Sequence, residues 1–167
     1  MRYLKIFTAA AIVLVALACG FSQAADDDKG LKDNLLYNAT SSGSFNNCEY
    51  EYKGDSIRIF AEDSTDPGVF FEKINKDTAG SKYLSFAIKG KLIREGLWCF
   101  PVVQIFDEKD DQYTPSVTKT SFTLNNDEFV TVLIPLEGKI SRLARVQFIL
   151  VTDKGSWDIE IKDAKLE

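Results

Sequence analysis

The feature that most constrains this chain is a run of short segments that alternate apolar and polar residues, each cut off by a turn signal. Residues 82–89 alternate most cleanly: Leu84, Phe86 and Ile88 point one way, and Tyr83, Ser85, Ala87 and Lys89 the other, with Gly90 expected to close the segment. A period of two is the signature of a strand with one face toward a core. The same pattern places Ile57 and Ile59 on one face of 56–61, Val130, Val132 and Ile134 on one face of 128–136, and Val146, Phe148 and Leu150 on one face of 145–152. It also turns Ile159 and Ile161 inward within 157–166, with Trp157 sharing their parity and reading as core. Further strands are expected at 48–52, 68–74, 98–107 and 117–124. Between them lie Lys53-Gly54-Asp55, Asp66-Pro67-Gly68, Asn125-Asn126-Asp127 and Lys154-Gly155-Ser156, all turn formers for known backbone reasons. The best helical candidate, 137–143, is short. About nine strands at this spacing predict an all-β fold, a sandwich or barrel.

The chain has 167 residues, enough for one domain. Acidic residues outnumber Lys and Arg by 25 to 20. That balance argues against a phosphate-neutralising nucleic-acid binder and against docking on anionic lipid. There is no histidine, which removes the commonest general base and the commonest metal ligand.

The amino terminus reads as an export signal. Arg2 and Lys5 precede an apolar run at 6–18, too short to span a bilayer, and Ser22-Gln23-Ala24 offers a cleavage site after Ala24. The division expected is therefore a signal peptide at 1–24, a flexible lead-in and first strand at 25–46, and a β-sandwich domain at 47–167. The expected location is secreted or periplasmic. Ala16-Leu17-Ala18-Cys19 also resembles a lipobox, so a lipid anchor at Cys19 is the alternative, and the only route to a membrane. In an exported domain Cys48 and Cys99 can pair. Such a disulfide would close a loop of about 50 residues and contribute ~3–4 kcal/mol on the chain-entropy model.

Several segments carry a resemblance. Lys-Tyr-Leu-Ser-Phe-Ala-Ile-Lys-Gly at 82–90 is similar to the apolar strand ending in Lys-Gly of galactose-binding-like β-sandwiches. Val-Val-Gln-Ile-Phe-Asp at 102–107 resembles the next signature strand, and Phe-Val-Thr-Val-Leu-Ile-Pro-Leu at 129–136 the strand ending in Ile-Pro-Leu. Val-Gln-Phe-Ile at 146–149 and the terminal segment 157–166 complete the order, and Gly-Val-Phe-Phe at 68–71 fits an earlier strand. From about residue 47 onward the chain thus resembles the jelly-roll carbohydrate-binding modules of bacterial glycan-degrading systems. The resemblance implies a jelly-roll β-sandwich of two antiparallel sheets and a carbohydrate partner. It departs at Lys162, where such modules often carry the first of two adjacent acids that would hold a structural calcium.

A sandwich binds sugar with flat aromatic faces and with planar amides or charges that reach hydroxyls. Alternation nominates outward side chains for this: Arg58, Tyr83, Trp98, Phe100, Gln104, Thr131 and Gln147. Gln104 and Gln147 stand out, because an amide within an apolar strand costs free energy unless solvated or bonded. The acids Glu49, Glu51, Glu62, Asp63, Asp107, Glu108, Asp110 and Asp111 sit at turns or edges, the ordinary place for solvated charge rather than for a facing catalytic pair. Asp107, Asp110 and Asp111 gather hard oxygen ligands, the chemistry of calcium, at a spacing that matches no dedicated loop. No other cofactor is indicated. The expectation is a non-catalytic carbohydrate-binding sandwich. A structural or adhesive envelope protein that binds another protein through the same sheet is the alternative.

Overall fold

The structure is a computed structural model and describes residues 34–120, 122 and 124–167. The signal peptide expected at 1–24, with Cys19 inside it, and residues 25–33 lie outside the described residues. A 3₁₀ turn at Leu35–Asn38 is capped by Asn34, whose side chain accepts from the Leu36 amide, and it buries Leu35 and Leu36 in the core.

Ten strands follow: β1 Ser41–Phe45, β2 Glu49–Lys53, β3 Ser56–Ser64, β4 Gly68–Asp77, β5 Tyr83–Arg94, β6 Cys99–Asp107, β7 Val117–Thr120, β8 Asn126–Pro135, β9 Arg142–Thr152 and β10 Gly155–Leu166. They form two antiparallel five-stranded sheets, ordered β1-β4-β9-β6-β7 and β2-β3-β10-β5-β8. These two sheets stack as a jelly-roll β-sandwich, with the inward side chains of both between them. The residues that alternation turned inward (Ile57, Ile59, Leu84, Phe86, Ile88, Ile134, Val146, Phe148, Leu150, Ile159 and Ile161) are buried there, together with Trp157. Phe148 of β9 meets Phe86 of β5 edge to face at 5.4 Å between ring centroids, so aromatic packing ties one sheet to the other.

Three local expectations are corrected. Gly90 does not close its strand. β5 continues through it to Arg94, and Gly90 adopts φ 137° at a register shift against β8. Residues 137–143 form no helix. Glu137 and Gly138 both have positive φ, Lys139 donates back to the Leu136 carbonyl, and β9 begins at Arg142. So short a segment cannot offset the cost of helix nucleation. Cys48 and Cys99 are free thiols rather than a disulfide. Cys48 lies buried beside the Trp157 indole, and burial pushes its pKa up to about 11. Cys99 opens β6 in the other sheet, facing Gly155 and Thr152.

Candidate functional site

The two outer faces of the sandwich differ in chemistry. On the β2-β3-β10-β5-β8 sheet the charges neutralise one another. Arg58 forms a forked pair with Asp158 at 2.8 and 2.7 Å and also reaches Glu51 at 3.0 Å. Lys89 pairs with Glu160 at 3.3 Å, and Lys162 with Asp55 at 3.5 Å. The aromatic rings are covered too: Arg58 lies over Phe60, and both Lys89 and Lys162 lie over Phe129.

The other sheet is built differently. Its register aligns Gly43, Phe70, Gln147, Gln104 and Thr118 in one outward row across β1, β4, β9, β6 and β7. The adjoining row holds Ser41, Glu72, Arg145 and Phe106. The Arg145 guanidinium lies between two rings, 4.8 Å from the Phe70 centroid and 5.0 Å from that of Phe106. It pairs with Glu72 at 3.2 Å and donates to the Gln147 side-chain oxygen. Burial pulls the Arg145 pKa below its ordinary value, and Glu72 works against that pull. Among the described residues the buried Arg145 Nε has no hydrogen-bond partner. Gln104 is half-buried. Close packing rows the aromatics: Phe70 stacks over Gly43 and Phe45 over Gly68, each where no Cβ would fit.

At the Phe106 end the face deepens into a cleft of about 300 Å³, bounded by Glu72, Lys73 and Asn75 of β4, Ala144 and Arg145 of β9, and the β6–β7 loop. That loop is shaped by its own acids. Asp110 accepts from the amides of Asp107 and Ser116 and from the Ser116 hydroxyl, at 2.8, 2.9 and 2.9 Å. Asp111 accepts from the Tyr113 and Thr114 amides at 2.7 and 2.8 Å. Asp107 is buried and accepts from the Ser141 amide and hydroxyl and the Lys109 amide. Burial by itself would raise its pKa, but these donors outweigh it and bring it down to about 2. The three carboxylates suggested for calcium are thus engaged in holding loop backbone. Among the described residues no three Asp, Glu, His or Cys side chains come together as metal ligands.

The seven nominated side chains therefore do not share one groove. Gln104 and Gln147 are direct neighbours across β6 and β9, and Phe100 lies farther along the same face, opposite Val151. Trp98 precedes β6 in a turn and is half exposed. Asp153 pins that turn by accepting from the Leu97 and Trp98 amides at 2.9 and 3.3 Å. Arg58, Tyr83 and Thr131 belong to the opposite sheet, so they cannot line a groove with the glutamines. Sequence reasoning passed over Phe70, Glu72 and Arg145. The signal was present: Val69 and Phe71 face inward, which sends Phe70 and Glu72 out, and Arg145 shares the parity of Gln147.

No protein-family model matches the chain, and no curated protein matches it by sequence. Among solved structures it is similar to an agarase, with a TM-score of 0.58 and 9% identity over 77% of this chain. The chain spans only 22% of the length of that agarase. It is similar to the family 11 carbohydrate-binding module of a cellulosomal cellulase from Clostridium thermocellum, with a TM-score of 0.53, 12% identity, and 84% and 91% of the two chains covered. The family 11 module in complex with a β-1,3-1,4-mixed-linked tetrasaccharide matches with a TM-score of 0.51 and 13% identity, covering 85% of this chain and 92% of that one. At such identities the likeness is one of fold, and it agrees with the resemblance in the sequence: the chain has the jelly-roll β-sandwich fold found in carbohydrate-binding modules.

Proposed function

We propose that this is an exported, non-catalytic carbohydrate-binding protein whose ligand lies across the outer face of the β1-β4-β9-β6-β7 sheet. The observation that carries the reading is the convergence of Gln104, Gln147, Arg145 and Glu72 between Phe70 and Phe106 on that face alone. The half-buried Gln104, Arg145 and Glu72 match the hydroxyl edges of a sugar and the half-buried Phe70 ring its apolar side, with Gln147 and Phe106 buried beneath them. The N-terminal pattern at 1–24 supports export. The non-catalytic reading is supported by the engagement of the acids around the cleft: Glu72 pairs with Arg145, Glu108 with Arg142, and Asp107, Asp110 and Asp111 hold loop backbone. Binding of this kind uses side chains only and needs no bound metal. Given the neighbours of the same fold, mixed-linked β-glucan and agarose are the first ligands to try.

Affinity gel electrophoresis against those polysaccharides, with and without EDTA, tests the reading. Retarded migration that survives EDTA is expected. Gln104→Ala should weaken retention roughly three- to tenfold, the worth of about one net hydrogen bond, and should leave the melting temperature unchanged. Unretarded migration of the folded protein on every polysaccharide of a broad panel would remove the proposal.

A further inference from the structure

Both neighbours of β9 lose register at the same place. The β4–β9 pairing passes from Glu72 opposite Arg145 to Lys76 opposite Leu143, so β4 carries extra residues there. The β6–β9 pairing passes from Phe106 opposite Arg145 to Asp107 opposite Leu143, so β9 carries Ala144 as its extra residue. The cleft of about 300 Å³ lies at this level, with Ala144 and Arg145 of β9 in its lining. Bulges re-aim side chains, and they are common beside binding and active sites.

The β4 wall of the cleft is costly backbone. Lys73 and Asn75 both take left-handed conformations, φ 56° and 54°, while Ile74 between them stays buried. Both outer side chains are exposed at the cleft. The other left-handed residues described, apart from glycines and Glu137, are all Asn or Asp, whose short polar side chains tolerate that backbone. Lys73 has no such excuse. Glycine would serve the fold there with less strain. Strain of this kind persists only where the surroundings enforce it, and it clusters at ligand sites.

We infer that the β4 bulge forms the grip of a sugar subsite: Lys73 and Asn75 donate hydrogen bonds to the hydroxyls of one sugar unit lodged in the cleft, with the rest of the chain lying over Gln104 and Phe70. The subsite rests on the reading of this face as a glycan site, and names the class of unit it takes. A volume of about 300 Å³ is at the small end of ligand sites and suits a single unit. Lys73 and Asn75 offer donors from one wall, and the carboxylates of the β6–β7 loop offer acceptors from the other. A hydroxyl, which both donates and accepts, matches that pairing. Charge sets the class. Glu72 and the four acids of 107–111 line the cleft against two cations, Lys73 and Arg145. Arg142 beside Glu108 does not reverse that balance. A uronate or sulfated unit would bring one more negative charge into an acidic cleft, so the unit is one without negative charge.

Glycine is the informative substitution, because it removes the side chain and suits the backbone. On affinity gels of mixed-linked β-glucan or agarose, Lys73→Gly and Asn75→Gly should each weaken retention roughly three- to tenfold, the worth of about one hydrogen bond. Their urea midpoints should equal or exceed that of the wild type. Polygalacturonate should retard the wild type less than the uncharged polysaccharides do. If the wild type is retained and a glycine variant binds equally well, the subsite is wrong while the broader glycan reading stands. Weakened retention with a lowered urea midpoint has the same meaning, since it marks a structural role. Retention on polygalacturonate as strong as on uncharged gels overturns the class of unit. A wild type that no gel retards removes the broader reading and the subsite together. If the glycine variants do not fold, the wild type decides by nuclear magnetic resonance, titrated with a soluble oligosaccharide of the polysaccharide that retards it. The Asn75 side-chain amide signal should shift, and a fixed Asn75 signal beside a moving Gln104 signal refutes the grip.

Discussion

Asp107 shows how much a single side chain organises beside the candidate site. Its carboxylate joins the start of the β6–β7 loop to Ser141 at the entry to β9, and donors on both sides hold its pKa at about 2 against an ordinary 3.8. The folded-state value lies below the unfolded one. Its stabilisation is therefore complete above about pH 4 and drains away as pH falls toward 2. Asp107→Asn should destabilise the protein at neutral pH by about 1–3 kcal/mol, the cost of weakening a buried charged acceptor. It should also flatten the loss of stability between pH 4 and pH 2, and urea denaturation at several pH values measures both. The sequence marked Asp107 as an acid in a turn. What it accepts from was not legible, because Ser141 comes 34 residues later. Gln104 and Gln147 were legible, since an amide inside an apolar strand is conspicuous wherever the strand lies.

Among the elements, β5 is the instructive one. The cleanest alternation in the chain predicted a strand ending at Gly90, a residue that elsewhere terminates regular structure. The strand instead extends to Arg94, because β10 pairs with it along its whole length, including Ile159 opposite Gly90. Gly90 is there because the backbone has φ 137° and because a Cβ would overlap the Asp158 carbonyl and lie 2.6 Å from the Ile159 Cα. Both obstacles are backbone and cannot move aside. Gly90→Ala should therefore cost more than about 3 kcal/mol, combining backbone strain with a clash in the centre of a sheet. Equilibrium denaturation measures it, and a cost below about 1 kcal/mol would mean the bulge is plastic. A glycine's propensity is local, whereas its role here was set by a strand some seventy residues away.

At the scale of the whole molecule, stability rests on the layer between the sheets. Phe148 is 1% exposed and touches Phe86 across that layer and Phe71 beside it, at 5.4 and 6.4 Å between centroids. Phe148→Ala should cost about 3–5 kcal/mol, a large part of the stability of a domain this size. It should lower the thermal midpoint while leaving a single cooperative transition. Two transitions would show that the sheets unfold separately. The sequence by itself determined the strands, their inward sides and the class of fold, because side-chain alternation is a steric property of each strand and needs no partner. Only the tertiary structure decided which outward sides merge into one surface. Arg58 and Gln104 look alike along the chain, yet Arg58 is matched by Asp158, one hundred residues on, while Gln104 lies beside Gln147 on the other sheet. That division follows from strand order, which is set by long-range pairing and is not written in any local pattern.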